Sequence, residues 1–222
     1  MPLRTADAII LRTYALKESD KIVSFFTREF GKCRGVARAA RRPKSKFGSS
    51  LEPLSRVKIQ YFEREGKELS NIDHCELISS MVAASAVDLV HSMAVSLMVE
   101  VADRMLPDHE ANDAVFRLFL AVLPALSGAD AWLPLTYYLL WMVRLGGFLP
   151  GLDDELSAVL LRLPLAQAAD LVPAGLCSGA AGQRLRRTLK RCLEDHIESR
   201  LVSWPMLAGL EELGESEAGG VE

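Results

Sequence analysis

The chain has 222 residues, 50% of them hydrophobic and 25% charged, the composition of an ordinary globular protein that forms one large domain or two small ones. Its formal charge of -3 hides an uneven distribution. Residues 1–50 carry Arg4, Arg12, Lys17, Lys21, Arg28 and seven further cations against Asp7, Glu18, Asp20 and Glu29, whereas residues 51–110 are rich in Asp and Glu. Cys33, Cys75, Cys177 and Cys192 are far apart with no Cys-x-x-Cys pair, which excludes a disulfide framework and a zinc knuckle and predicts reduced thiols. No signal peptide is visible, since Asp7 interrupts the short apolar start, and a cytoplasmic protein is expected. The most membrane-like stretch, Ala131 to Leu149, is broken by Pro134, Arg144 and Gly146-Gly147 and reads as a buried core helix, so no membrane partner is expected.

Ala6 to Tyr14 is rich in branched residues and predicts a first strand, with Ala8, Ile10 and Tyr14 on one side and Ile9 and Leu11 on the other. Lys17 to Asp20 is a polar turn, and Lys21 to Thr27 resumes an extended pattern up to Gly31. The third strand, Lys32 to Arg38, would set Lys32, Arg34 and Arg38 on one face and Cys33 and Ala37 on the other. After Ala40 the run Arg41-Arg42-Pro43-Lys44-Ser45-Lys46 cannot continue a central strand, because Pro43 lacks the backbone donor, and a mobile basic loop is expected. The fourth strand alternates most clearly, with Val57, Ile59 and Tyr61 inward and Arg56, Lys58 and Gln60 outward; Glu63 to Gly66 turns the chain into a weaker fifth strand, Leu69 to Leu77. Five short strands without a long helix among them predict a small closed barrel.

Near Ile78 the period changes. Val87, Val90, Ala94, Leu97, Val101 and Met105 recur at helical spacing, and the helix stops before Pro107. Asn112 is placed to cap a second helix through Leu123, and Asp130 a third through Leu145, where Gly146-Gly147 ends it. Asp153 or Asp154 caps a short helix, and a connection with Pro164, Pro173, Gly175 and Gly179 leads to a long helix from about Gly182. There Leu185, Leu189, Leu193, Ile197 and Leu201 form the apolar stripe while Arg184, Arg187 and Arg191 share another face. The acidic, Gly-rich segment Glu211 to Glu222 predicts disorder. The expected fold class is therefore α+β multidomain: a five-stranded barrel over 1–78, an all-α domain over 79–210 and an acidic disordered tail over 211–222, without internal repeats.

The sequence has no phosphate loop, Gly-x-Ser-x-Gly elbow or His-Glu-x-x-His helix, which disfavours an enzyme. Asp153-Asp154-Glu155 could hold a metal in a metal-dependent nucleic-acid enzyme, but at a helix start capping is the better account. His74, His91, His109 and His196 are isolated in sequence and none is treated as a site. No cofactor is expected. The segment Gly31 to Gly48 holds Lys32, Arg34, Arg38, Arg41, Arg42, Lys44 and Lys46 with no acidic residue among them. Such a strip suits a polyanion whose phosphates meet the cations while its bases stack on rings, of which Phe47 is the first choice among Tyr14, Phe25, Phe26, Phe30, Phe47, Tyr61 and Phe62. A solvated basic edge that merely prevents sheet aggregation, and a protein-binding barrel scaffold, are the competing readings. Arg184, Arg187 and Arg191, helped by Arg186 and Lys190, form a second cationic cluster that could extend a nucleic-acid track, receive an acidic peptide or remain a solvated helix face.

Three stretches carry a resemblance to a known family: Asp7-Ala-Ile-Ile-Leu11; the segment Gly31 to Gly48 followed by Leu51-Glu-Pro-Leu54; and Leu145-Gly-Gly-Phe-Leu-Pro-Gly-Leu152. Together they make the chain similar to the RecO family of bacterial recombination and repair mediators. The resemblance implies an N-terminal OB-fold and a C-terminal helical domain. It also implies binding of single- and double-stranded DNA, annealing of complementary strands, engagement of the acidic tail of single-strand-binding protein, here by Arg184, Arg187 and Arg191, and, with RecR, help in loading RecA. Many family members carry a four-cysteine zinc module after the last motif. Here Asp153 to Ala158 has no cysteine and only Cys177 remains in the following region, so a zinc-free variant is inferred.

Overall fold

Strand alternation in this chain closes a barrel. In the computed structural model, which describes residues 2–63, 66 and 68–218 (of residues 84 and 212–218 the backbone only), five strands form: β1 (Leu3–Leu16), β2 (Asp20–Thr27), β3 (Gly31–Ala37), β4 (Arg56–Phe62) and β5 (Ser70–Ser79). They close in the order β1-β2-β3-β5-β4, antiparallel except for the parallel pair β3–β5, which is the arrangement of an OB-fold. Ala8, Ile10, Val23, Phe25, Cys33, Ala37, Val57, Ile59, Tyr61 and Ile72 fill the interior, where Phe25 and Tyr61 meet edge to face at 5.3 Å.

The expectation fails at Tyr14, for a local reason. A β-bulge between Ile10 and Arg12 adds one residue to β1, so the alternation slips and every later side chain changes sides. Tyr14 pairs with Ile22 and points out of the barrel instead of joining Ala8 and Ile10 within it, and it is 49% exposed. The third strand also ends one residue early: Ala39 takes a left-handed conformation (φ 55°), and Arg38 lies in the turn.

Two compact units divide the chain, Met1–Ala83 with Ala102–Phe116, and Ala84–Val101 with Arg117–Glu222. The expected boundary near residue 78 therefore omits a segment that rejoins the barrel after the first long helix. Gly31 shows why the fit is close. At φ 67° it starts β3 directly against the backbone of Glu110, where any Cβ would overlap it.

The helices are α1 (Val82–Ser85), α2 (Leu89–Met105), α3 (Asp113–Leu126), α4 (Trp132–Leu145), α5 (Glu155–Arg162), α6 (Leu165–Leu171), α7 (Ala180–Ile197) and α8 (Trp204–Ala218). Caps fall where short polar side chains permit them: the carboxamide oxygen of Asn112 accepts the Val115 N–H at 3.1 Å, and Asp154 accepts that of Ser157 at 2.7 Å. In the second unit α4 is the buried hub, with Leu135, Tyr138, Leu139, Leu140 and Val143 inaccessible and the Tyr138 hydroxyl donating to Met98 O at 3.0 Å. Among the described residues no helix is long and apolar enough to cross a membrane.

The tail departs from expectation. Residues from Glu211 to Ala218 continue α8, and Glu211 is buried against Arg186 of α7. Arg186 Nε and Nη2 lie 2.7 and 2.6 Å from one Glu211 oxygen, Nη1 donates to Thr136 Oγ1 at 2.9 Å, and the guanidinium sits 4.4 Å from the centroid of the Trp132 ring. Polarity made this segment look unable to fold, yet one of its acids neutralises a buried cation. Residues 219–222 of the expected tail lie outside the described residues.

Candidate nucleic-acid interface

The basic loop between β3 and β4 is built, not loose. Successive turns close it, with N–H to carbonyl bonds Arg42 to Ala39, Ser45 to Arg42, Gly48 to Ser45 and Ser50 to Phe47. Its start is fastened to the β1–β2 hairpin: Arg41 N–H donates to Ser19 O and Arg41 Nη1 to Lys17 O, both at 2.9 Å. Asp20 completes the joint by accepting the Ala39 N–H at 2.8 Å and the Ser19 hydroxyl at 3.0 Å. The Ala39 N–H first and the Ser19 hydroxyl second hold this carboxyl below the usual carboxylate range. Phe47, Leu51 and Leu54 anchor the far end by entering the interior. The loop expected to be mobile is thus tied at both ends, while Arg38, Arg41, Arg42, Lys44 and Lys46 stay exposed. Lys46 pairs with Asp73 at 3.4 Å. Among the described residues Arg38, Arg41, Arg42 and Lys44 have no ion-pair partner.

Lys32 and Phe47 need correction. Lys32 does face out of the barrel beside Arg34, but the segment 102–116 covers it: its Nζ donates to Asp103 O at 2.7 Å and lies 3.3 Å from Asp108, leaving the residue 5% exposed. Asp103 also pairs with Arg12 at 3.3 Å and accepts from Ser24 at 3.2 Å, and Asp108 reaches Arg34 at 3.7 Å. The acids of this segment neutralise the middle of the outer face, so Lys32 is a structural cation and Arg34, with its side chain 47% exposed, is the strand residue left at the surface. Phe47 is 3% exposed within the barrel core and offers no face to a base. Of the seven aromatic residues considered, Tyr14 is the one that is exposed, by about half its surface.

On α7 the structure places Arg184, Arg187 and Arg191 at the surface, as their spacing requires, and separates them from Arg186, which points inward. Arg184 borders a cavity of about 600 Å³ lined mainly by Leu152, Leu156, Val159, Leu171 and Leu185. Arg187 and Arg191 do not line it; Arg187 reaches Gln183 on its own helix at 3.5 Å. Asp154 and Glu155 stand at the cavity as well, the former with its carboxylate turned to the helix start it caps.

Within the acidic triplet Asp154 caps α5. Among the described residues no three His, Cys, Asp or Glu side chains converge where a metal ion could be held. A zinc module does not fit the residues present: Cys177 is buried alone, its carbonyl receives Arg186, and burial pushes its thiol up to about 11.

A closed OB barrel with an anchored cationic loop, followed by a helical unit, defines the class: an OB-fold protein with a helical C-terminal part. Within that class, the family model described as recombination protein O N-terminal matches residues 1–81, and its C-terminal counterpart matches residues 86–158. Curated relatives named DNA repair protein RecO agree. That of Koribacter versatilis is 40% identical over 94% of this chain and 100% of its own length, and that of Bifidobacterium adolescentis is 31% identical over 100% and 86%. The chain belongs to the RecO family of DNA repair proteins, which are recombination mediators and not enzymes.

Proposed function

We propose that this protein binds single- and double-stranded DNA along the exposed cations Arg34, Arg38, Arg41, Arg42, Lys44 and Lys46, and anneals complementary strands there. The observation that carries the reading is the loop itself: four cations, Arg38, Arg41, Arg42 and Lys44, without an ion-pair partner among the described residues, on a segment whose backbone is tied down at both ends. Phosphates would displace condensed counterions, so binding is sequence-tolerant and falls steeply with salt. Holding two strands against one cationic surface lowers their mutual repulsion, which favours pairing. Annealing of labelled complementary strands by the purified protein tests this; a pairing rate no faster than that of DNA alone would discard it.

The cavity beside Arg184 favours a second role, binding the acidic tail of single-strand-binding protein. Its apolar walls suit the apolar end of a peptide, and Arg184, with Arg187 and Arg191 farther along the same helix, supplies charge for the acidic part. Through that contact, and with RecR, the protein would help load RecA onto coated DNA. Arg184→Ala is expected to weaken binding of the tail peptide about tenfold, with smaller losses for Arg187→Ala and Arg191→Ala; unchanged affinity in all three would reject the assignment.

A further inference from the structure

The outer face of β1, β2 and β3 carries a row of side chains that the cationic loop does not explain. In the strand register Tyr14 lies opposite Ile22, and Ile22 opposite Val36; the adjoining row is Arg12, Ser24 and Arg34. Same-face neighbours along a strand are about 6.6 Å apart and adjacent strands about 4.8 Å. The Tyr14 ring, half exposed, therefore stands on an apolar base formed by half-buried Ile22 and Val36 and is bordered by two guanidinium groups. Three residues after Tyr14, Lys17 receives Arg41 of the basic loop, so the row and the loop are held by one hairpin.

We propose that Tyr14 stacks on an unpaired base of single-stranded DNA, with Arg34 and the loop cations taking the flanking phosphates. The proposal rests on the DNA-binding reading above and adds to it a residue that distinguishes single strands from duplex. An exposed phenol ring presents a π-face that every base matches, so stacking there is sequence-tolerant. A duplex keeps its bases stacked inside and meets the same surface through phosphates alone. An apolar protein partner would leave the exposed cations of the adjoining loop, which the same hairpin holds, without counter-charge, whereas a nucleotide supplies a ring and a negative charge together. Charge complementarity thus selects the nucleic acid.

The test is fluorescence anisotropy with a mixed-sequence single strand and a blunt duplex of equal length, on the full chain, over a range of salt concentrations. Tyr14→Ala is expected to weaken single-strand binding roughly five- to a hundredfold and to leave duplex affinity and the salt slope in place, because stacking is worth about that factor per base and releases no counterions. Tyr14→Phe keeps the ring and should bind as the parent protein does. Tyr14→Ala binding a single strand as tightly as the parent, losing duplex binding equally, or being matched by Tyr14→Phe in its loss, would each overturn the proposal while leaving the loop assignment standing. A parent protein that binds neither oligonucleotide removes the DNA-binding reading and this proposal with it. Thermal midpoints identify any variant that has lost structure, in which case Tyr14→Phe against Tyr14→Trp decides: both should retain single-strand affinity, and loss by both overturns stacking.

Discussion

Lys32 and Tyr14 exchange the roles that residue type assigns them, because neighbours in space decide exposure. Lys32 is covered by Asp103 and Asp108, which lie more than seventy positions away in sequence, and no local pattern could reveal that. The acid-rich composition of residues 51–110 was the available signal. Lys32→Ala is therefore expected to cost about 1.5–3 kcal/mol of stability, the worth of hydrogen bonds to a charged group, and to leave the salt slope of DNA binding intact; urea unfolding beside a DNA titration checks both. The cysteines make a sharper statement about pH. Burial pushes the thiols of Cys33 and Cys177 up to about 11 and that of Cys75 up to about 12, so none is a thiolate near neutrality. Cys192 is the least buried of the four. Titration with a thiol reagent at pH 8 should label Cys192 first, with the other three reacting only on unfolding; prompt labelling of Cys33 would show that the barrel opens readily. The sign for Asp20 runs the other way. Its folded value is depressed, so the stability it lends to the loop joint is complete above its ordinary value near 4 and is lost as pH falls through the lower folded one.

At the level of elements, strands β2 and β4 and the caps of α3 and α5 were legible, since alternation and short polar side chains act locally. What escaped was whatever depends on pairing. The bulge in β1 shows only in its pairing with β2 and reverses the side on which Tyr14 emerges, while α8, with Trp204 and Leu207 buried, carries its polar end into a contact between Glu211 and Arg186. That contact is open to measurement. Glu211→Ala leaves the Arg186 guanidinium buried without its counter-charge and is expected to destabilise the protein by about 3–5 kcal/mol, read as a fall in the urea midpoint. A neutral result would mean that α8 does not seat against α7 in solution. At the surface of α7, by contrast, helical spacing alone separated Arg184, Arg187 and Arg191 from the apolar stripe, and only the inward turn of Arg186 was invisible.

For the whole molecule, the change of period near residue 78 located the passage from strands to helices but not the return of residues 102–116 to the barrel, because a linear reading assigns each stretch once. That return shapes the interface. Its acids pair with Arg12, Lys32 and Arg34, while Arg38, Arg41, Arg42 and Lys44 of the β3–β4 loop stay exposed without an ion-pair partner among the described residues. The measurement that bears most directly is a titration of labelled single-stranded DNA at several salt concentrations with the parent protein and with Arg41→Glu, Arg42→Glu, Lys44→Glu combined. The expected result is a loss of affinity of more than about tenfold at low salt and a salt slope shallower by about two, three phosphate contacts at about 0.7 each. Equal affinity and equal slope in the two proteins would contradict the assignment of DNA to this loop.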